Sequence, residues 1–89
     1  MSLLAGTNDT TAPVQTNIHR IARFVPNARV AMVPGAAHDT FLDTCLPAVA
    51  DELAHICNDP PGVDRDAVHT QTIEQALGFF RQTLPAKAL

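Results

Sequence analysis

Two short apolar runs, Leu3-Leu4-Ala5 and Val30-Ala31-Met32-Val33, constrain most what this chain can fold into. Each runs straight into turn formers, Gly6-Thr7-Asn8-Asp9-Thr10-Thr11 after the first and Pro34-Gly35 after the second, so the first reads as the end of a strand and the second, with Arg29 at its start, as a short buried strand with a tight exit. Between them, Pro13 suits the first turn of a helix behind a Thr10 or Thr11 cap. Val14, Ile18, Ile21 and Val25 then recur at helical spacing up to Pro26-Asn27, which predicts an amphipathic helix of about three turns. Strand, helix, strand is the order of a parallel pair.

Two more helices are expected downstream. Pro47 opens one over about 46–57, with Leu46, Val49, Ala50, Leu53 and Ile56 as its apolar positions and Asn58-Asp59-Pro60-Pro61-Gly62 as its stop. Asp64 or Asp66 caps the next, over about 66–84, with Ile73, Leu77, Phe80 and Leu84 as its inward stripe and Pro85 as its terminator. The expected fold class is α/β, two short parallel strands with three helices in the order β-α-β-α-α, in one segment spanning 1–89 without repeat or linker. Two parallel strands leave both outer edges unpaired, so either other chains complete the sheet or the segment belongs to a larger domain.

Composition narrows the function classes. At 89 residues, 46% hydrophobic and 17% charged, the chain suits one small, marginally stable domain and is too short for two. Lys and Arg total 6 against 9 acidic residues, for a formal charge of -3, and there is no Trp, Tyr or basic block. A surface that tracks phosphates and stacks bases has little to build on, so nucleic acid is not an expected partner. No run of 18 apolar residues is present, and the start Met1-Ser2-Leu3-Leu4-Ala5-Gly6 has neither the basic region nor the apolar length of a signal peptide. The expectation is a soluble segment with no membrane partner and no address of its own; an exported parent would carry its signal upstream.

Cys45 and Cys57 match no zinc spacing. On one continuous helix their Cα atoms would lie roughly 18 Å apart, whereas a disulfide requires about 7 Å or less. Free, half-buried thiols and a bridge across a broken helix both stay open.

Chemistry points to Asp9 and His38, each in a loop directly after an expected strand, where α/β folds collect functional residues. Singly, each has an ordinary explanation: Asp in a Gly-x-x-Asp turn serves turn chemistry, and a loop His is solvated. Together they supply what orients and performs proton transfer, a carboxylate on the Nδ1 proton of an imidazole. Asp39 follows His38 directly and could compete for the ring. His38-Asp39, His19, and His55 with Cys57 could each offer metal ligands, but no recognised spacing exists, so no metal and no cofactor are expected. His69 reads as structural.

Order and context add a resemblance. Gly6-Thr7-Asn8-Asp9-Thr10-Thr11-Ala12-Pro13-Val14 resembles the acid loop of α/β-hydrolases, above all the polyesterase and cutinase-like members, with Asp9 as the acid. Gly35-Ala36-Ala37-His38 resembles the loop that delivers their catalytic histidine after the last strand, and acid precedes histidine as in that superfamily. The tail, with Cys45, Cys57, Asp64-Arg65, His69, Ile73 and Phe79-Phe80, is more similar to dienelactone hydrolase-like proteins. The resemblance implies a partial α/β-hydrolase fold, its C-terminal segment, with the acid loop at 6–13 and the histidine loop at 35–41. It implies an ester substrate, small molecule or polymer, for the complete enzyme.

A nucleophile elbow is missing. The only serine is Ser2, and the oxyanion donors of such enzymes would lie upstream of these residues. Cys45, seven residues after His38, is the least implausible substitute, though a helix-start Cys beyond Phe41 and Leu42 suits packing better. The expectation is therefore a serine hydrolase fragment, inactive alone, that needs a complementing N-terminal chain. The rival expectation is a noncatalytic α/β module that forms a homo-oligomer or binds a partner protein through its open sheet.

Overall fold

The two short apolar runs, each ended by turn formers, make the sheet. In the computed structural model, which describes residues 1–84, β1 (Ser2–Gly6) pairs in parallel with β2 (Arg29–Val33). The register runs from Ser2 opposite Arg29 to Gly6 opposite Val33. Both strands bury their C-terminal ends: Ala5, Gly6 and Val33 are buried while Ser2, Arg29 and Val30 are exposed. The loops leaving those ends start from the best-anchored part of the sheet.

The crossover helix is shorter than expected. α1 (Ile18–Phe24) has seven residues, about two turns, and no buried side chain; Phe24 is 77% exposed. The expected Thr10 or Thr11 cap does not form, because the Asp9 carboxylate takes the backbone N–H groups of Thr11 and Ala12 and holds the chain in a loop. Pro13 to Asn17 follow as turns, with the Asn17 backbone and side-chain amides both donating to the Pro13 carbonyl. Val14, buried, is the member of the apolar series that anchors this crossover.

After β2 the chain makes a 3-10 turn (His38–Phe41) and then two four-residue helices, α2 (Pro47–Ala50) and α3 (Ala54–Cys57), where one helix was expected. Leu53, at φ -116° and ψ 43°, lies outside the helical region and breaks the run. The break brings the Cα atoms of Cys45 and Cys57 to 5.7 Å, and the two are joined by a disulfide. Cys45 therefore has no thiol to offer as a nucleophile.

The last helix, α4 (Arg65–Thr83), starts one residue earlier than expected behind Asp64, whose carboxylate accepts the Asp66 N–H at 3.0 Å. Its expected terminator, Pro85, lies outside the described residues. Only the first turns of α4 reach the core, where Val68 packs with Val33 and Ala36, flanked by Leu4, Phe41 and Val63. Ile73, Leu77, Phe80 and Leu84 do not point into a core: they are 42% to 58% exposed, because no further layer among the described residues covers that side of the helix. The radius of gyration agrees, at 15.0 Å against about 12 Å for a close-packed chain of this length. The result is a small α/β unit, two parallel strands and several helices, with its sheet edges and one helix face open. No described helix is long and apolar enough to cross a membrane.

Candidate functional site

The loops after β1 and β2 are stitched together by their own backbones. Thr7 N–H donates to the Val33 carbonyl at 3.1 Å and Asn8 N–H to the Ala36 carbonyl at 3.0 Å. In return Gly35 N–H donates to Thr7 Oγ1 at 2.7 Å, and the Asn8 side-chain amide donates to the Gly35 carbonyl at 3.1 Å. Gly35 sits at φ 78°, a left-handed conformation that glycine adopts without a Cβ penalty.

This stitching sets Asp9 against His38. Asp9 Oδ2 lies 3.0 Å from His38 Nδ1, while Oδ1 accepts from Thr11 N–H at 3.0 Å and Ala12 N–H at 2.7 Å. A carboxylate with three donors is fixed in rotation, and it is well sheltered, with its side chain 11% exposed against 49% for His38. Burial, the largest single influence, pushes the Asp9 carboxyl up; the Ala12 hydrogen bond, the His38 hydrogen bond and charge, and the Thr11 hydrogen bond together outweigh it and leave it below its ordinary value. His38 is held above the ordinary imidazole value by the Asp9 hydrogen bond and charge, with a smaller contribution from the Asp39 charge and a small opposing effect of burial. Asp9 and not Asp39 is thus the carboxylate on the ring.

An ionised carboxylate only accepts, so Nδ1 carries the proton and Nε2 is the basic nitrogen of the neutral form. The arrangement can hold an imidazole in one tautomer, take a proton on Nε2 and stabilise the resulting imidazolium. Ser2 is no partner for it: it begins β1 while the acid loop leaves the other end, and four strand steps put the two ends about 13 Å apart.

No family model, curated protein or solved structure matches the chain.

His19 and His55 are exposed on α1 and α3, and the described residues hold no group of three or more His, Cys, Asp or Glu placed to bind a metal ion. His69 is structural as expected: its Nε2 lies 3.0 Å from the Thr40 carbonyl, which can only accept, so that nitrogen carries a proton.

Sequence reasoning missed a second charged centre just behind the histidine turn. The Arg65 guanidinium, 7% exposed, donates from Nε and Nη2 to the Asp59 carboxylate at 2.9 to 3.2 Å. It also donates to the Ile56 carbonyl at 2.8 Å and the Asp43 carbonyl at 3.3 Å. A signal existed: a cation in the first turn of a helix faces the positive end of the dipole and calls for a carboxylate nearby.

Proposed function

We propose that this chain is the C-terminal segment of an α/β-hydrolase-type serine hydrolase of carboxylic esters, contributing its acid Asp9 and its general base His38. The observation that carries the reading is the 3.0 Å contact between Asp9 Oδ2 and His38 Nδ1, with the carboxylate locked by two backbone N–H groups and the His38 side chain half exposed. In the complete enzyme His38 Nε2 takes the proton of a serine hydroxyl as it attacks the ester carbonyl, and returns it to the departing alkoxide. Asp9 holds the ring and stabilises its charged form. The serine and the oxyanion donors come from residues outside this sequence, so the segment alone turns over no ester. The resemblance of both loops to the acid and histidine loops of that superfamily supports the same reading, as does an open sheet that further strands would extend.

A second reading is a noncatalytic module that self-associates. The exposed Ile73, Leu77, Phe80 and Leu84 on α4 favour it, because an apolar stripe of that length calls for cover.

Native and denaturing mass spectrometry of one purified sample, with 4-nitrophenyl acetate as probe, separates the two. A larger second polypeptide, with ester cleavage abolished in both His38→Ala and Asp9→Asn, supports the hydrolase segment. Cleavage unchanged in both variants overturns the roles given to these residues. Copies of this chain alone, with no cleavage, favour the self-associating module.

A further inference from the structure

The apolar stripe of α4 lies on the side of the helix away from the core. Val68, Thr72 and Phe79 turn inward and are buried or half-buried, while Ile73, Leu77, Phe80 and Leu84 are exposed on the opposite side. The steps along the stripe, four, three and four residues, are those of the seam positions of a coiled coil over about two heptads. This spacing also reads the same from either end of the helix. Two copies set antiparallel therefore bring Ile73 of each opposite Leu84 of the other and Leu77 opposite Phe80, with no seam position left over. Beside the seam on one flank stand Glu74 and Arg81, seven residues apart, while the matching positions of the other flank are the uncharged Ala76 and Thr83. Glu74 and Arg81 are exposed, and among the described residues neither is in an ion pair.

We infer that α4 is a self-pairing seam on which a second copy of this chain docks antiparallel, about a two-fold axis, with Glu74 of each copy meeting Arg81 of the other. In an antiparallel helix pair like flanks face each other. The register above then sets Glu74 within two residues' rise, about 3 Å, of the facing Arg81, an easy reach for two long side chains. A parallel pair would instead set the charged flank against Ala76 and Thr83, so the charges choose the orientation. The seam is about 17 Å long and about 10 Å wide, smaller than the roughly 800 Å² per partner of a stable complex. The dimer is therefore reversible and forms as concentration rises. The inference rests on the self-association named above and gives it a geometry; it uses neither Asp9 nor His38 and is independent of the hydrolase reading.

The test is sedimentation velocity of the full chain at low salt over rising concentration, alone and with its charges exchanged. Glu74→Arg and Arg81→Glu each set like charges across the seam at two places, and each by itself should need roughly tenfold more protein to dimerise. Mixed in equal amounts, the two variants should dimerise at the parent's concentration, because every facing pair is opposite again. Both substitutions sit on the helix surface outside the core, and circular dichroism checks that helix content is kept. A parent that dimerises, with no recovery in the mixture, rejects the antiparallel seam and leaves self-association standing. A parent that sediments as a single chain at every concentration rejects both. Should an exchanged chain lose its helix, Ile73→Cys mixed with Leu84→Cys decides instead. Oxidation to a crosslinked mixed pair, in preference to either variant with itself, supports the register, and crosslinking without that preference overturns it.

Discussion

The carbonyl oxygen of Ala36 stands 2.2 Å from where a Cβ on Gly6 would be. This close approach lets the acid loop lie on the histidine loop, with Asn8 N–H reaching that same carbonyl. Gly6→Ala must push backbone from backbone, since no flexible side chain is there to yield. The expected outcome is a loss of about 1–3 kcal/mol in urea unfolding, the usual cost of overpacking, together with a lower His38 midpoint as Asp9 and His38 separate. Unchanged stability and titration in Gly6→Ala would show that the two loops are not held by this contact.

The Asp9–His38 pair makes stability depend on pH in both directions. Asp9 sits below its ordinary value of 3.8 when folded, so its contribution is present above that value and is lost as pH falls through the lower folded one. His38 sits above its ordinary 6.5, so its contribution is complete below that value and is lost as pH rises through the higher folded one. Unfolding midpoints measured across acid and neutral pH should therefore peak between these two ordinary values. Asp9→Asn should flatten the neutral limb. A parent profile identical to that of Asp9→Asn rejects the pairing.

The Cys45–Cys57 bridge should matter to more than the residues it joins. It closes a short loop, for which chain-entropy arguments give on the order of 3 kcal/mol at about 15 residues. Replacing both cysteines by serine should cost about 2–3 kcal/mol and should loosen the Arg65 hydrogen bonds to the Asp43 and Ile56 carbonyls, seen as faster exchange of the Arg65 Nε proton. Equal urea midpoints with and without the bridge reject its structural role.

How much the sequence revealed follows local and non-local physics. The two strands, their parallel order, a cap at Asp64 or Asp66 and the pairing candidates Asp9 and His38 were legible, because each rests on a short apolar run or a turn signal beside it. The start of α1 was misjudged because Asp9, not Thr10 or Thr11, claims the first free N–H groups, a choice made by a carboxylate already fixed by His38. The split between α2 and α3 was invisible to periodicity, since Leu46, Val49, Leu53 and Ile56 keep helical spacing through the break at Leu53. Arg65 with Asp59 was missed because the cation in the first turn of α4 has Asp64 and Asp66 beside it in sequence, and nothing local favours Asp59 over them.

The α4 stripe was read correctly as a stripe and wrongly as buried. Ile73, Leu77, Phe80 and Leu84 follow at i, i+4, i+7 and i+11, which places them on one side of the helix. Each is about half exposed, so covering the rest is worth roughly half of the 1.5–3 kcal/mol of a full burial, about 1 kcal/mol per residue. Leu77→Lys with Phe80→Glu puts two charges on that surface and removes no partner in the chain's own core. Helix content by circular dichroism should stay at the parent level while sedimentation velocity shifts toward the mass of a single chain. If a larger polypeptide is the cover, ester cleavage by the pair should fall in step with its loss. A variant that sediments as the parent does, with helix content intact, rejects the stripe as a contact surface.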